Sequence, residues 1–216
     1  MRLISYSIQN IEIVPNVNSG FCIMKRSFNH KKATQILNYF AQVEGGQINK
    51  MKSLKLLWLA DRLHLRLYGR SISNDNYVAM KNGPVASCAK DIVENNGYCP
   101  EEQKAYARSF INLREDWHTL DSVSDADLKV FSKSDVSILE KVYDSFGDKD
   151  QYELSELSHL YPEWKRWERA LEDNPSTRFP MSDEDFFADP ESGSDLLFNE
   201  PKERLETNKA VFLEAC

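Results

Sequence analysis

The sequence has few residues that could hold a metal, and none of them is suitably spaced. Its 216 residues include four histidines and four cysteines, which are Cys22, Cys88, Cys99 and Cys216. Because there is no Cys-x-x-Cys pair and no histidine at ligand spacing, we predict neither a metal site nor another bound cofactor. The scattered cysteines also form no disulfide framework, so we expect reduced thiols in the cytoplasm.

Long apolar runs are absent as well. No segment approaches the roughly eighteen apolar residues that a membrane span requires. The first residues, MRLISYSIQNIEIV, alternate polar and apolar side chains and do not follow the order of a secretory signal. We therefore expect a cytoplasmic protein that does not cross a membrane.

Signatures of catalysis are missing from the sequence. It contains no G-x-S-x-G elbow, no G-x-x-x-x-G-K-[ST] phosphate loop, no G-x-G-x-x-G and no H-E-x-x-H. Ser158 and His159 are neighbours, but adjacent residues on a helix point about 100° apart and cannot form a dyad. We therefore do not expect an enzyme.

The charges divide the chain into a basic and an acidic half. Residues 1–90 hold thirteen Lys and Arg against four Asp and Glu, whereas residues 91–216 hold fourteen against thirty. The two halves should attract each other, so we expect the acidic part to fold back on the basic part or to compete for what binds there. Because the acidic half would repel a phosphate backbone, we expect a protein partner and no nucleic acid.

Helical periodicity dominates the rest of the chain and predicts a mainly α fold with a small β element. Asn29 is a plausible N-cap for the first helix, and a second helix runs from about Lys50 to Tyr68. We divide the chain into an N-terminal extension with short strands (1–23), a compact helical domain (24–175) and an acidic C-terminal extension (176–216). The C-terminal extension mixes acidic residues with Phe and Leu, which is typical of a segment that docks on a basic groove of its own or of another chain; a solvated tail is the alternative.

The second helix is apolar around most of its circumference, which predicts a central buried helix. Its basic residues gather in one narrow stripe, which we expect to face water or a partner: Lys52, Lys55, Arg62 and Arg66. Asp61 lies opposite this stripe among leucines and Trp58. A buried carboxylate needs partners, so we expect it to accept hydrogen bonds from His64, from a tyrosine hydroxyl or from N–H groups of the next loop. A structural aspartate of this kind is the commoner case, and a functional carboxylate is the alternative.

The stretch NYVAMKNGPVAS, residues 76–87, predicts a strand, a tight turn and a helix start. Tyr77 to Lys81 favour the strand, Asn82 and Gly83 the turn, and Pro84 suits the first position of a helix over residues 84–95. We expect this element to pack against the second helix and to hold Tyr77, Met80 and Lys81 rigidly at the surface. Such an element could serve binding.

Several short motifs together resemble the Panacea domain family of SocA-like antitoxins over roughly residues 28–170. The family's helix reads L-x-K-L-L-Y-L-A-D-R and is followed by Y-G-R-x-I, by a segment ending in G-P-V, and by S-H with a later tryptophan. Trp58 stands where a tyrosine is usual. The matching positions are Leu54, Leu56, Leu57, Leu59, Ala60, Asp61 and Arg62, then Tyr68, Gly69, Arg70 and Ile72, then Tyr77, Met80, Gly83, Pro84 and Val85, then Ser158, His159 and Trp164.

The resemblance implies a toxin-neutralising protein encoded beside its toxin, often in a prophage or defence locus. Some relatives deliver their toxin to an AAA+ protease, and an adaptor of this kind is one alternative; an enzyme or nucleic-acid regulator on the same helices is another. The oligomeric state stays open. We predict that Asp61, Trp58, His159 and Trp164 are structural, and that the partner-binding surface consists of Lys55, Arg62, Arg66, Tyr77, Met80, Lys81, Gly83 and Pro84.

Overall fold

The computed structural model describes residues 27–190 and 199–214. Helices and short strands alternate along the chain, which confirms the predicted α+β class. The elements in chain order are α1 His30–Val43, β1 Gln47–Asn49, α2 Lys50–Tyr68, β2 Tyr77–Met80, β3 Gly83–Ala86, α3 Ser87–Val93, α4 Glu101–Arg108, β4 Ile111–Leu113, β5 Thr119–Ser122, α5 Lys133–Phe146, α6 Gln151–Ser158, α7 Pro162–Lys165, α8 Glu168–Asp173, β6 Phe179–Pro180 and α9 Lys202–Glu214. Short 3-10 helices lie at Leu128–Val130 and Asp183–Phe187.

The first two helices begin where their capping residues predict. The Asn29 side chain accepts a hydrogen bond from the Lys32 N–H and caps α1, and Asn49 caps α2 in the same way. Helix α2 ends at Gly69, whose φ of 65° is the left-handed conformation that glycine adopts most readily after a helix. The predicted bounds of α2 are therefore confirmed.

Helix α2 is the centre of the molecule. It packs against α1, α5, α6, α9 and strand β3. Leu56, Leu57, Trp58 and Leu63 on it are fully buried, which confirms that a helix with apolar residues on nearly every side is surrounded by protein. Because α2 touches most other elements, its polar residues meet the rest of the chain rather than water.

The strands form two small antiparallel sheets. One sheet has the order β1-β5-β4, and the other has the order β3-β2-β6. In the second sheet Tyr77 pairs with Ala86 and Met80 pairs with Gly83, so residues 81 and 82 make a two-residue turn between β2 and β3. The sequence of residues 110–113 and 117–120 indicates possible short strands, and β4 and β5 lie there with a shift of one or two residues.

The predicted helix start at Pro84 is wrong. Pro84 lies in β3 opposite Ala79, and helix α3 begins only at Ser87. Proline at a first helical position and proline in an edge strand have similar φ values, so local geometry suits both. Pairing with β2 decides between them, and β3 is an edge strand, where a missing N–H is tolerated.

The acidic C-terminal part folds back on the basic part, as the charge division predicts. Phe186 and Phe187 of the second 3-10 helix are buried, as are Leu205 and Phe212 of α9. Both elements pack on α2. The strands predicted within residues 1–23 lie outside the described residues.

Candidate interaction site

Asp61 of α2 fixes the loop that leads into strand β2. Its carboxylate accepts hydrogen bonds from the N–H groups of Ile72 (2.8 Å) and Ser73 (3.0 Å), from the Ser73 hydroxyl, and from the Tyr77 hydroxyl (2.7 Å). The predicted tyrosine and loop donors are therefore confirmed. A carboxylate with this many partners can stay buried, and it ties the start of the β2–β3 hairpin to the central helix.

His64 is not a donor to Asp61, and that part of the prediction is wrong. The His64 Nδ1 lies 2.7 Å from the carbonyl oxygen of Arg70, and its Nε2 lies 3.1 Å from the carboxylate of Asp135 on α5. Burial works against ionisation of Asp135, but hydrogen bonds from His64 and from Lys32 hold its pKa well below the usual range. His64 therefore joins α2 to α5 and to the loop that follows α2.

Lys55 holds the second strand of the hairpin. Its ammonium nitrogen donates to the carbonyl oxygen of Pro84 at 2.9 Å, and the side chain is buried. Burial lowers the pKa of Lys55 well below its ordinary value. Gly83 next to it has φ +97°, and a Cβ there would collide with the Lys55 ammonium and with the Ser158 hydroxyl. Only glycine fits where α2, α6 and the hairpin meet.

Helices α6 and α7 hold the turn of the hairpin from the other side. The Ser155 hydroxyl donates to the carbonyl oxygen of Asn82 at 3.0 Å, and the Trp164 indole N–H donates to that of Met80 at 2.8 Å. The His159 ring stacks on Trp164 with centroids 3.8 Å apart, and burial lowers the His159 pKa. These contacts place His159 and Trp164 beside the turn, and their structural role stays a prediction.

Trp58 of α2 contacts the segment that leads into α7. It is fully buried in α2, and its ring meets that of Tyr161 edge to face at a centroid distance of 5.1 Å. Tyr161 directly precedes α7. This aromatic contact fixes the distance between the central helix and the segment that carries Trp164.

Arg62 and Arg66 do not form the surface stripe that the sequence predicts. Both side chains are fully buried. The Arg62 Nε lies 2.8 Å from a carboxylate oxygen of Glu163 in α7, and another of its nitrogens donates to the Ala188 carbonyl oxygen. Arg66 pairs with Asp189 at 2.5 Å. The acidic C-terminal segment covers this side of α2, which is why the stripe meets the chain's own groups instead of solvent.

Only part of the predicted binding surface is therefore accessible. Six of its residues are buried, three on α2 and three in the hairpin itself: Lys55, Arg62, Arg66, Tyr77, Gly83 and Pro84. Met80 is half-buried, whereas Lys81 and Asn82 at the turn are exposed. Partner contact by Lys81 and Met80 stays a prediction, and the other six residues can act only by positioning them.

Sequence reasoning missed Asn82 and Tyr152 as neighbours on this surface. Tyr152 is 67 % exposed and lies one turn before Ser155 on α6, so it projects from the same side of the helix as the residue that holds Asn82. A sequence signal for Tyr152 did exist, because it shares one helical face with Ser155 and His159. We name the exposed residues Lys81, Asn82 and Tyr152, together with Met80, the hairpin tip.

In the described ranges, 27–190 and 199–214, no three His, Cys, Asp or Glu side chains are grouped so that they could hold a metal ion. Within the same ranges, no helix is both long enough and apolar enough to cross a membrane.

A family model described as antitoxin SocA-like, Panacea domain, matches residues 54–165, which is more than half of the chain. The matched span runs from α2 to α7 and contains the central helix, the β2–β3 hairpin and the two helices that hold its turn. No curated protein and no solved structure matches the chain. The family match together with these residues shows that the chain belongs to the SocA-like antitoxin family with a Panacea domain.

Proposed function

We propose that this protein is an antitoxin that neutralises a cognate toxin in the cytoplasm by direct binding, and that the hairpin tip is part of the binding surface. The antitoxin family gives the class of function. The observation in favour of this surface is that side chains from three helices hold a short, exposed turn in place. Lys55, Ser155 and Trp164 each donate a hydrogen bond to a backbone carbonyl of residues 80–84.

Such support has a physical consequence for binding. A turn that is already fixed loses little conformational entropy when a partner docks on it, and preorganisation of this kind raises affinity without new contacts. The aromatic ring of Tyr152 and the ammonium group of Lys81, both exposed, offer the mixed apolar and polar chemistry that is enriched at protein interfaces. The buried residues of the motif then serve the surface indirectly.

Co-expression with the neighbouring reading frame tests the function. That frame should arrest growth of a bacterial host when expressed alone, and growth should return when this chain is co-expressed. If the neighbouring frame is harmless, the proposal is wrong. Measuring the lifetime of the toxin with and without this chain then separates binding alone from delivery to a protease, which would shorten the lifetime.

Charge and aromatic substitutions test the surface. Lys81→Glu and Tyr152→Ala should each weaken protection and toxin binding, measured by titration calorimetry, while the unfolding free energy stays unchanged. Matched controls are Lys133→Glu, an exposed lysine at the start of α5, and Tyr98→Ala, which removes another exposed tyrosine. Equal losses in the tip variants and the controls would exclude the tip as the binding surface.

A further inference from the structure

Strand β4, which is separate from the hairpin tip, forms an exposed edge of the first sheet. In the order β1-β5-β4, β4 is an edge strand. The Arg114 N–H donates to Thr119 and the Val123 N–H donates to Phe110, so every second residue of this segment turns its backbone toward β5. Ile111 and Leu113 lie between those positions and turn their N–H and C=O groups outward, where no group of the described chain bonds to them.

A groove of about 380 Å³ runs beside this edge. Its walls are mainly apolar and come from the end of α3, the end of α4 and the sheet: Ile92, Val93, Ala107, Ile111, Leu113 and Leu120. Arg108, which is exposed, stands at the end where α4 leads into β4, and Trp117 stands at the other end. The edge therefore combines unpaired backbone groups with an apolar trough.

Trp117 is held in an unusual conformation at the tip of the β4–β5 loop. Its φ is +62°, which is rare for a bulky residue, and the side chain is 58 % exposed. The loop does not relax because the Asp116 carboxylate accepts bonds from the His118 N–H (2.8 Å), the Thr119 N–H (2.9 Å) and the Thr119 hydroxyl (2.6 Å). A large exposed ring on a locked loop is a typical anchor in protein interfaces.

The charges at the two ends of β4 are opposite in sign. Arg108 precedes the strand, and its side chain, which also contacts Glu101, is half exposed. Arg114 directly follows the strand and is paired with Asp121 of β5, whereas the next two residues, Glu115 and Asp116, are exposed acids. When two copies of one strand pair antiparallel, the first end of each copy lies beside the last end of the other. The basic end of one chain would then meet the acidic end of its neighbour twice in one interface.

From these features we propose that the β4 edge binds a second copy of this chain, which goes beyond the proposed function at the hairpin tip. Ile111 of each copy lies opposite Leu113 of the other, so their outward N–H and C=O groups bond in two reciprocal pairs. Arg108 of one copy faces Glu115 and Asp116 of the other. The Trp117 rings pack at the Ala107 end of the opposite groove, and the two three-stranded sheets become one continuous sheet.

A second copy fits this surface better than an unrelated segment does. The groove and the aromatic side chain that could fill it both belong to the same edge of one chain, as do the two opposite charges. An interface with two-fold symmetry requires each patch to be complementary to itself, and this edge has that property. An extended strand from another protein would satisfy the backbone groups but would leave the complementary charges and Trp117 unexplained.

Sedimentation equilibrium of the purified full-length chain over a concentration series tests the proposal. We expect the apparent mass to rise from that of one chain to that of two. Leu113→Pro should keep the mass at one chain, because it removes an outward N–H while the bonds between β4 and β5 use other residues. A mass of one chain at every concentration, or a dimer that Leu113→Pro leaves intact, would overturn the proposal.

Charge reversal provides an independent test. Arg108→Glu or Glu115→Arg should each weaken dimerisation at least about tenfold, and the double variant should recover most of that loss because the opposite ends again attract. Circular dichroism checks that each variant is folded. Hydrogen exchange provides a further readout, since the amide of Leu113, which is only partly buried in a single chain, should become more protected at high concentration. A double variant as weak as the single ones, or exchange independent of concentration, would contradict the proposed register.

Discussion

The β2–β3 and β4–β5 hairpins differ in what holds them in place. The turn of β2–β3 receives its hydrogen bonds from side chains far away in sequence, on α2, α6 and α7. The loop of β4–β5 is fixed mainly by its own residues: Asp116 accepts bonds from the two residues that follow Trp117, and the Trp117 N–H donates to the Arg114 carbonyl oxygen. One bond comes from outside, from the Lys50 N–H to the His118 carbonyl oxygen. The first hairpin should therefore lose its shape when the core is disturbed, whereas the second should keep its shape until its own residues change.

The largest effect is expected where α7 attaches to α2. Glu163→Ala would leave the Arg62 guanidinium without its buried carboxylate, and breaking a buried ion pair of this kind costs about 3–5 kcal/mol. Urea unfolding measures the loss, and because Trp164 adjoins Glu163, faster hydrogen exchange in residues 77–86 should accompany it. The control is Asp121→Ala in β5, whose pair with Arg114 is partly exposed and contributes about 0–1 kcal/mol. If both variants lost the same unfolding free energy, the two hairpins would not differ in their dependence on the core.

Two aspartates should give opposite pH dependences of stability. Burial raises the pKa of Asp75, which precedes β2, from 3.8 to about 7, even though it accepts bonds from the N–H groups of Cys88 and Ala89. Bonds from Thr119 and His118 lower the pKa of Asp116 from 3.8 to about 2. The folded state thus binds more protons at Asp75, and its contribution is lost as pH rises from about 4 to 7. The contribution of Asp116 is lost as pH falls from about 4 to 2.

Urea unfolding between pH 2 and pH 8 separates these two contributions. Asp75→Asn should flatten the stability profile in the upper window only, and Asp116→Asn should flatten it in the lower window only. Asp148→Asn, at an exposed position, is the control and should change neither. A wild-type slope in the upper window that survives Asp75→Asn would show that another group causes it.

A smaller effect is expected from the hydroxyl of Tyr77. Tyr77→Phe removes one of the donors to the buried Asp61 carboxylate, and a hydrogen bond to a charged group contributes roughly 1.5–3 kcal/mol. Thermal and urea unfolding should both detect the loss. Tyr152→Phe removes a hydroxyl from an exposed ring and should leave stability unchanged. An unchanged Tyr77→Phe variant would mean that the loop donors alone satisfy Asp61.

The smallest effect, and the only gain, is expected at Trp117. Trp117→Asn keeps the loop but places a residue that tolerates positive φ more readily, so stability in dilute solution should rise by about 1 kcal/mol. Dimerisation should weaken at the same time, because the anchor is lost. A variant less stable than the parent would show that the Trp117 ring supports its own fold.

The sequence predicts helices and local anchors well. Asn29 and Gly69 mark the ends of helices correctly because capping depends on the nearest residues. The acceptor role of Asp61 follows from a similar argument, since a carboxylate among leucines must find donors nearby. Periodicity, however, identifies a polar face without identifying what covers it. The sequence therefore predicts that Arg62 and Arg66 face water or a partner, although both side chains are buried and pair with carboxylates more than a hundred residues later in the chain.

Asp61 and Arg62 are consecutive residues of α2, yet they hold different segments of the chain. Asp61 holds the loop before β2, and Arg62 holds α7 and the C-terminal segment. Inserting or deleting one residue upstream in this helix would rotate the pair by about 100° and point each charge at the wrong partner. The length of α2 should consequently be far less variable between relatives than the lengths of the loops that it holds in place.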